Sequence, residues 1–260
     1  MTAPLAGRVV VVTRPAAQAA QFASLVAAAG AQPLLLPTLE IVPIELAPDA
    51  RQRLVPDEFD WTIFTSANAV ESSLAQLPHP GHSRVAAVGR ATARALERHG
   101  IAVAAVPATT ADSEGLLELE CFADLRGRRV LILKGRGGRT LLREEFVRRG
   151  AEVVLGDVYE RRRAAADPEV VVALRRACDA GTAVVAATSA DVLSALLELA
   201  PPSNCPRLKD AGLLVPGERV ATAARALGWR GRVAVAATAE DAVMAEALCR
   251  AFSGGPSGAA

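Results

Sequence analysis

Aromatic side chains are scarce in this chain of 260 residues: they make up 3%, with one tyrosine, two tryptophans and six phenylalanines. Any hydrophobic core must therefore be aliphatic, built mainly from Ala, Val and Leu in a composition that is 51% hydrophobic. An excess of charge of one sign is also lacking, since the formal net charge is +1 and no basic run is interleaved with aromatics. A nucleic-acid partner is therefore not expected.

Three further absences narrow the class of protein. No apolar run reaches the roughly 18 to 20 residues that span a bilayer, so no membrane association is expected. The first residues run into a strand pattern without a charged leader and apolar stretch, which predicts a cytoplasmic protein. The four cysteines and three histidines show no spacing typical of a metal or redox site, so no metal is expected.

The chain does contain an internal repeat. Three segments recur in the second half of the sequence: 7–14 as 127–134, 60–70 as 183–193, and 85–89 as 213–217. The partners lie about 120 to 128 residues apart, which is too long for a solenoid unit and right for a domain. Two similar domains predict a cleft between them in which a ligand binds.

Short apolar runs of strand length alternate with longer segments of helical period. Their unbroken Val, Ile and Leu content suits strands that are buried on both faces, as in parallel sheets. The pattern predicts an α/β protein with two similar doubly wound, flavodoxin-like domains. The predicted strands are 8–13, 32–36, 61–65, 84–88, 103–106, 129–133, 152–158, 183–187, 212–215 and 232–236, and one predicted helix is 113–123.

Two extended segments, near 37–45 and 157–163, indicate where the chain crosses between domains. We predict one domain formed by 1–37 and 166–260, a second inserted at 45–158, and linkers 38–44 and 159–165 that pair as a two-stranded β-ladder hinge. A cut into 1–125 and 126–260 fits the repeat equally well. That division predicts only one linker, however, and leaves the other extended segment unexplained.

Polar residues follow several predicted strands, at the edge where open parallel sheets bind ligands. Side chains there can cap the N–H groups of the next helix, or they can bind an anion that the positive end of the helix dipole favours. Capping is the simpler interpretation for each position, but hydroxyl pairs at equivalent places in both halves favour binding. The candidates are Arg14, Thr65, Ser66, Asn68, Thr188 and Ser189.

The segment 134–140 is the strongest local signal for anion binding, because its three glycines allow close backbone approach and three cations lie within six residues. It is not a P-loop, and Thr140 stands where a dinucleotide fingerprint needs its third glycine. Asp157, about 20 residues on, keeps a nucleotide possible, although carboxylates or phosphates on another ligand are favoured. The candidates are Lys134, Gly135, Arg136, Gly137 and Arg139.

A third group follows the strand near residue 88. Gly89, Arg90 and Thr92 are candidate binding residues there, and Arg219 is a candidate in the counterpart 217–221. The equivalent of Thr92 is Val220, with Thr222 two residues later.

Tyr159, the only tyrosine, lies in a predicted linker. A lone tyrosine is usually a packing residue, but this position makes it the best candidate for a neutral proton donor.

Taken in order, these segments resemble the uroporphyrinogen-III synthase family. No single motif is diagnostic, but the ordered set extends from about residue 7 to 250. The matching segments are 12–15, 64–70, 88–93, 133–139, 158–161 and 188–190.

The resemblance implies an enzyme that removes the terminal hydroxyl of hydroxymethylbilane, a linear tetrapyrrole, as water and closes the ring with inversion of the last pyrrole. It implies a substrate in the cleft, no metal or organic cofactor, and a monomer with at most transient contacts to neighbouring pathway enzymes. The tyrosine of the family corresponds to Tyr159, which would help the hydroxyl to leave. The threonine of the family falls at Val220, or at Thr222 if the register slips.

Two other interpretations share the predicted fold. A two-domain small-anion binding protein would have no chemistry, and it would normally carry a secretion signal or a DNA-binding module. A nucleotide-dependent enzyme would need a complete phosphate loop. An assay with hydroxymethylbilane separates them, because only the synthase yields the type III product, whereas the type I isomer forms spontaneously.

Overall fold

A computed structural model describes residues 3–108, 112–138 and 140–254. The chain divides into two compact units. Unit 1 comprises Met1–Glu40 and Arg162–Ala260, so it contains both chain ends, and unit 2 comprises Ile41–Arg161.

The described residues form ten strands: β1 Val9–Val12, β2 Gln32–Leu35, β3 Leu39–Pro43, β4 Trp61–Phe64, β5 Arg84–Ala87, β6 Arg129–Gly135, β7 Glu152–Arg163, β8 Ala183–Ala186, β9 Gly212–Pro216 and β10 Val233–Ala236. The α-helices are α1 Ala16–Ala28, α2 Pro48–Arg53, α3 Ala67–Leu74, α4 Arg90–Arg98, α5 Ser113–Leu117, α6 Leu141–Arg148, α7 Pro168–Asp179, α8 Ala190–Leu199, α9 Gly217–Ala226 and α10 Asp241–Phe252. Short 3-10 helices occupy Pro56–Glu58, Glu120–Phe122 and Leu208–Asp210. Within the ranges that the structure describes, no helix combines the length and apolar character that a membrane span requires.

Unit 1 is built on a parallel sheet with the order β10-β9-β8-β1-β2. Alternate residues of β1 face opposite sides, so Val11 packs in one apolar cluster and Val10 and Val12 in another. Helices α7, α8 and α9 cover the first side, and α1 and α10 cover the second. The strand order reverses between β1 and β8, and the carboxyl ends of these strands form the switch point at which such sheets bind ligands.

Unit 2 has the sheet order β3-β7-β6-β4-β5, and a parallel bridge between Ala86 and Ala105 adds one residue beyond β5. Strands β5, β4, β6 and β7 are parallel. Ile63 and Phe64 on β4 face opposite apolar clusters, as expected for a strand between two layers of helices. The switch point of this unit lies between β4 and β6.

The repeat in the sequence matches the strand positions in the two sheets. Strand β6 corresponds to β1, β4 to β8, β5 to β9 and β7 to β2, and these equivalences give the same spatial order in both units. The bridge at Ala105 occupies the place of β10. The two units differ in the order of equivalent strands along the chain: β1 comes before β8 in unit 1, whereas in unit 2 β4, the equivalent of β8, comes before β6, the equivalent of β1. The predicted class of two similar doubly wound domains is therefore confirmed.

Strands β3 and β7 are neighbours and form an antiparallel pair at the chain crossings. The amide of Ile44 donates to the carbonyl of Val158 at 3.0 Å, and the amide of Ala164 donates to the carbonyl of Thr38 at 3.1 Å. Because the residue numbers rise along one strand and fall along the other, the strands run in opposite directions. This pairing satisfies backbone groups along both extended segments.

Three local predictions differ from the structure. The strand predicted at 103–106 is wrong: it is reduced to the bridge at Ala105, at the sheet edge and two residues before Pro107, which cannot donate a ladder hydrogen bond. The helix predicted at 113–123 is interrupted after α5, which contains Gly115, and resumes as the 3-10 helix Glu120–Phe122. Helix α2 was missed because it has no apolar periodicity, although Pro48 at its first position is a start signal.

Hydrogen bonds in the folded state lower the pKa of two carboxylates near turns of unit 2. The backbone N–H of Arg129 is the main cause that lowers the pKa of Asp60, and the guanidinium of Arg126 lowers the pKa of Asp124 to about 2. A group whose pKa is lowered by folding stabilises the folded state above its unfolded value and loses that contribution as pH falls through the folded value. The free energy of unfolding should therefore decrease from about pH 4 toward pH 2.

Urea unfolding measured at several values between pH 5 and pH 2 tests this prediction. Replacing Asp60 by Asn should make the decrease shallower, because one of the linked groups is removed. A variant with the full pH dependence of the wild type would show that this carboxylate contributes nothing to it.

Candidate functional site

In each unit, a threonine hydroxyl forms a hydrogen bond between the two neighbouring strands at the switch point. In unit 2, Thr65 Oγ1 donates to the carbonyl of Leu133 at 3.2 Å, which ties β4 to β6. In unit 1, the buried Thr13 Oγ1 donates to the carbonyl of Ala186 at 2.7 Å and ties β1 to β8. Thr65 was predicted to bind substrate, and in the structure its hydroxyl donates a hydrogen bond to the neighbouring strand.

Serine hydroxyls cap the helices that follow β4 and β8. Ser66 is the N-cap of α3, and its Oγ accepts from the amide of Ala69 at 3.1 Å. Ser189 is the N-cap of α8, and its Oγ accepts from the amide of Val192 at 3.2 Å. Capping is thus present at both positions, which fixes the helix N-termini and leaves the remaining first-turn amides at the carboxyl edge of each sheet. Asn68 is half-buried in the first turn of α3, and Thr188 is half-buried directly after β8.

Tyr159 lies in β7 opposite Gly135, the last residue of β6, with its ring in an apolar cluster and only 2% of its surface exposed. Its hydroxyl lies 3.1 Å from Ser66 Oγ and accepts a hydrogen bond from Arg161 Nη2 at 3.4 Å. The guanidinium carbon of Arg161 is 5.9 Å from the centre of the ring. The tyrosine is therefore a packing residue through its ring and a polar, hydrogen-bonded group through its hydroxyl.

Gly135 provides the space that this ring occupies. The pairing of β6 with β7 slips by one residue between Lys134, opposite Asp157, and Gly135, opposite Tyr159. A Cβ atom on Gly135 would lie 2.6 Å from Cζ and 2.9 Å from the hydroxyl oxygen of the tyrosine. The sequence suggested that this glycine lets a ligand approach, whereas in the structure its missing side chain accommodates Tyr159.

Two of the three cations in the segment 134–140 are described, and both are ion-paired. Lys134 is buried, and its Nζ donates to Asp157 Oδ1 at 2.9 Å. Arg136 donates to Glu160 at 2.8 Å, yet its side chain is 58% exposed at the sheet edge. Gly137 has a positive φ of 72°, which turns the chain there. Arg139 lies outside the described residues.

The residues at the start of α4 divide between solvent and core. Gly89 is the N-cap of α4, and in the first turn that follows Arg90 is exposed and Thr92 is buried. At the equivalent helix α9 in unit 1, Arg219 is exposed and Val220 is buried. Val220 thus takes the inward position of Thr92, while Thr222 is exposed.

Arg14 follows β1 and is bound within unit 1. Its guanidinium pairs with Asp241 at the start of α10, donates to the carbonyl of Ala239 at 3.0 Å, and lies 5.0 Å from the centre of the Phe22 ring. The two charged side chains are each only 12% exposed. Arg14 therefore fixes the loop between β10 and α10, a partnership across more than two hundred residues that the sequence did not reveal.

Arg161 is the residue at this edge that the sequence analysis passed over. Alternation along a strand would have found it, because residues two apart share a face and Arg161 stands two residues after Tyr159. Across the described ranges, no three His, Cys, Asp or Glu side chains come together in an arrangement that could hold a metal ion.

These features define a class: two doubly wound α/β units, each with capped helix N-termini and exposed arginines at the carboxyl edge of its sheet, suited to an anionic small molecule. The model of the family described as uroporphyrinogen-III synthase HemD matches residues 20–244. The chain belongs to the uroporphyrinogen-III synthase family.

Individual relatives agree with this assignment. The uroporphyrinogen-III synthase of Salmonella typhimurium is 32% identical over 246 residues, which cover 92% of this chain and 99% of the relative. The solved structure of a mutant uroporphyrinogen III synthase from Thermus thermophilus superposes with a TM-score of 0.60 at 23% identity and covers 94% of this chain and 98% of its own. That of uroporphyrinogen-III synthetase from Helicobacter pylori gives 0.62 at 19% identity, over 92% and 96%. At such identities the two structures establish the fold.

Proposed function

We propose that this chain cyclises hydroxymethylbilane to uroporphyrinogen III, with loss of water and inversion of the D ring. The observation that supports it best is the family match over residues 20–244, together with the only tyrosine at a sheet edge, its hydroxyl hydrogen-bonded. Loss of the substrate hydroxyl leaves an azafulvenium-like cation on an electron-rich pyrrole. The protein then has two tasks, to protonate the leaving hydroxyl and to hold the chain curled so that its ends meet.

Tyr159 is the proposed proton donor. Its phenolic proton passes to the leaving hydroxyl, the carbon–oxygen bond breaks, and water departs. The pyrrole ring loses a proton when the macrocycle closes, and that proton restores the phenol. Protons therefore balance over the cycle without a cofactor, and the ring of Tyr159 stays packed in its cluster throughout.

A substrate with acetate and propionate groups along its length calls for distributed anion sites rather than one tight clamp. Helix N-termini at α3 and α4 in unit 2, and at α8 and α9 in unit 1, supply first-turn amides that we propose bind substrate carboxylates. Arg90 and Arg219 are exposed at equivalent first turns, and Arg136 is exposed at the edge of unit 2. We propose these three as the arginines that contact carboxylates, whereas Arg14 and Lys134 shape the edges through their internal ion pairs.

Neutralising either first-turn arginine should weaken substrate binding without slowing the chemical step. Arg90→Gln and Arg219→Gln are each expected to raise KM several-fold with little change in kcat, because a carboxylate contact persists from ground state to transition state. Arg98→Gln, at the far end of α4, is the matched control and should leave KM unchanged. A fall in kcat at constant KM in the first-turn variants would rule out simple carboxylate binding.

The nucleotide interpretation has lost its main support. Asp157, the acidic residue that a ribose would need, is engaged by Lys134 Nζ, and the segment 134–140 lacks the sequence of a phosphate loop.

We also propose that the protein acts as a monomer in the cytoplasm and that contacts with neighbouring pathway enzymes are transient. Sedimentation of the purified protein tests the first point, and a stable dimer would contradict it.

An assay with hydroxymethylbilane tests the proposed activity. The wild-type protein should yield chiefly type III product, whereas buffer alone and the heat-unfolded protein should yield type I, the isomer that forms spontaneously. Separation of the isomers after oxidation to porphyrins gives the ratio directly. If the wild-type protein gave only type I product, the chain would not be a synthase.

A further inference from the structure

The phenol oxygen of Tyr159 has two neighbours in unit 2 that can donate to it. Arg161 stands two residues along β7, on the same face of the strand, and its Nη2 donates to the phenol oxygen at 3.4 Å. Ser66 Oγ lies 3.1 Å from the same oxygen. Arg161 comes from β7 and Ser66 from the N-cap of α3, so the arrangement is a product of the fold.

The capping bond of Ser66 uses one lone pair of its hydroxyl, which can therefore either donate to the phenol oxygen or accept from it. Ser66 Oγ already accepts the amide of Ala69 at 3.1 Å, and its own hydrogen is available to donate. A phenol oxygen has two lone pairs and one hydrogen. When Arg161 and Ser66 occupy both lone pairs, the phenolic hydrogen points away from both of them.

We propose that Arg161 is a positioning residue for Tyr159: together with Ser66 it donates to the phenol oxygen, orients the phenolic proton toward the leaving hydroxyl, and stabilises the phenolate that remains. This inference rests on the proposed role of Tyr159 as proton donor. Hydrogen bonds from a charged donor to a developing oxyanion are stronger than neutral ones, and they act when the proton leaves. The step needs no other reagent, since the proton lost by the pyrrole restores the phenol.

The alternative role of Arg161 is direct contact with a substrate carboxylate, since its side chain is exposed. The two roles differ in kinetics. A positioning residue changes kcat with little effect on KM, and a carboxylate ligand changes KM with little effect on kcat. In the free protein, the environment of the phenol shows whether the hydrogen bond that the positioning role requires is present.

The single tyrosine makes the free protein informative. Tyrosine labelled with carbon-13 at Cζ gives one protein resonance, which reports hydrogen bonding at the phenol oxygen. Arg161→Gln should shift this resonance, and Arg161→Lys, which retains a charged donor, should shift it less. Arg162→Gln removes the same charge from the opposite face of the strand and should leave it in place.

Kinetics of the same variants complete the test. Arg161→Gln should lower kcat about tenfold with KM within about twofold, and Arg161→Lys should recover part of the loss. In a Tyr159→Phe background, Arg161→Gln should cause no further loss, because its effect passes through the phenol. The urea midpoint of Arg161→Gln should fall no further than that of Tyr159→Phe, which loses the same hydrogen bond and the contact to Ser66 as well.

The outcomes separate this inference from the proposed function. An unshifted resonance, or a raised KM with normal kcat, would overturn the positioning role and leave the synthase activity intact. If Arg161→Gln shifted the resonance but the wild-type protein produced no type III isomer, the hydrogen bond would be confirmed and the proposed function rejected.

Discussion

Replacing Tyr159 by phenylalanine should lower kcat by roughly a hundredfold, the lower range of what a positioned general acid contributes. KM should stay within about twofold, because the phenol acts on the leaving hydroxyl and not on the carboxylates. The phenylalanine ring fills the same space beside Gly135, so the effect isolates the hydroxyl. Initial rates at saturating hydroxymethylbilane, with the isomer ratio determined in parallel, measure it.

Stability measurements show whether a lower kcat comes from loss of the hydroxyl or from partial unfolding of the variant. Tyr159→Phe removes the contacts to Ser66 and Arg161, which should cost about 1 kcal/mol of unfolding free energy. Thr62→Val is the matched control: it also removes a buried hydroxyl, one that lies 2.9 Å from Ser83 Oγ within the same unit. This control should show a similar loss of stability with normal kcat. A Tyr159→Phe enzyme that retained the wild-type rate would eliminate the tyrosine as the acid and leave it a packing residue.

Replacing Gly135 by alanine should reduce kcat at least as much, because it adds a methyl group where the ring of Tyr159 lies. The new Cβ would be 2.6 Å from Cζ, closer than packed atoms allow, so either the ring or the end of β6 must move. Overpacking of this kind costs about 1 to 3 kcal/mol of stability. Movement of the ring would also take the hydroxyl away from Ser66 and Arg161.

A double-mutant cycle identifies the clash as the cause. In a Tyr159→Ala background the ring is absent, so adding Gly135→Ala should cost little further stability. Gly100→Ala is the control within unit 2, since Gly100 has a φ of 72° and nothing lies within 4 Å of its would-be Cβ. It should cost about 1 kcal/mol from its backbone conformation and leave kcat unchanged. Wild-type rate and stability in Gly135→Ala would mean that the ring relocates without consequence.

Because the two units are equivalent, residues at matching positions of α4 and α9 can be compared. Thr92 in α4 and Val220 in α9 occupy the same inward position, and only one has a hydroxyl. Thr222, two residues after Val220, is exposed. Whether the family threonine corresponds to Val220 or to Thr222 stays a prediction of the alignment.

Much of the candidate site was visible in the sequence because its signals are local. A hydroxyl residue directly after an apolar run predicts a helix cap, and Ser66 and Ser189 are caps. The contact of Gly135 with Tyr159 was not visible in the sequence, because the two are 24 positions apart and only the slipped pairing of β6 with β7 brings them together. The ion pair of Arg14 was not visible for the same reason, since its partner Asp241 comes from the other end of the chain.

The α/β class, the duplication and the positions of the polar residues at strand ends could be predicted from the amino-acid pattern, because hydrophobic period and capping act within a few residues. Which of those polar residues are exposed could be seen only in the folded chain. Lys134 and Arg14 are bound to carboxylates of their own units, whereas Arg90 and Arg219 are exposed. The partner of a charged side chain depends on which strands become neighbours, and that is settled by packing over long separations in sequence.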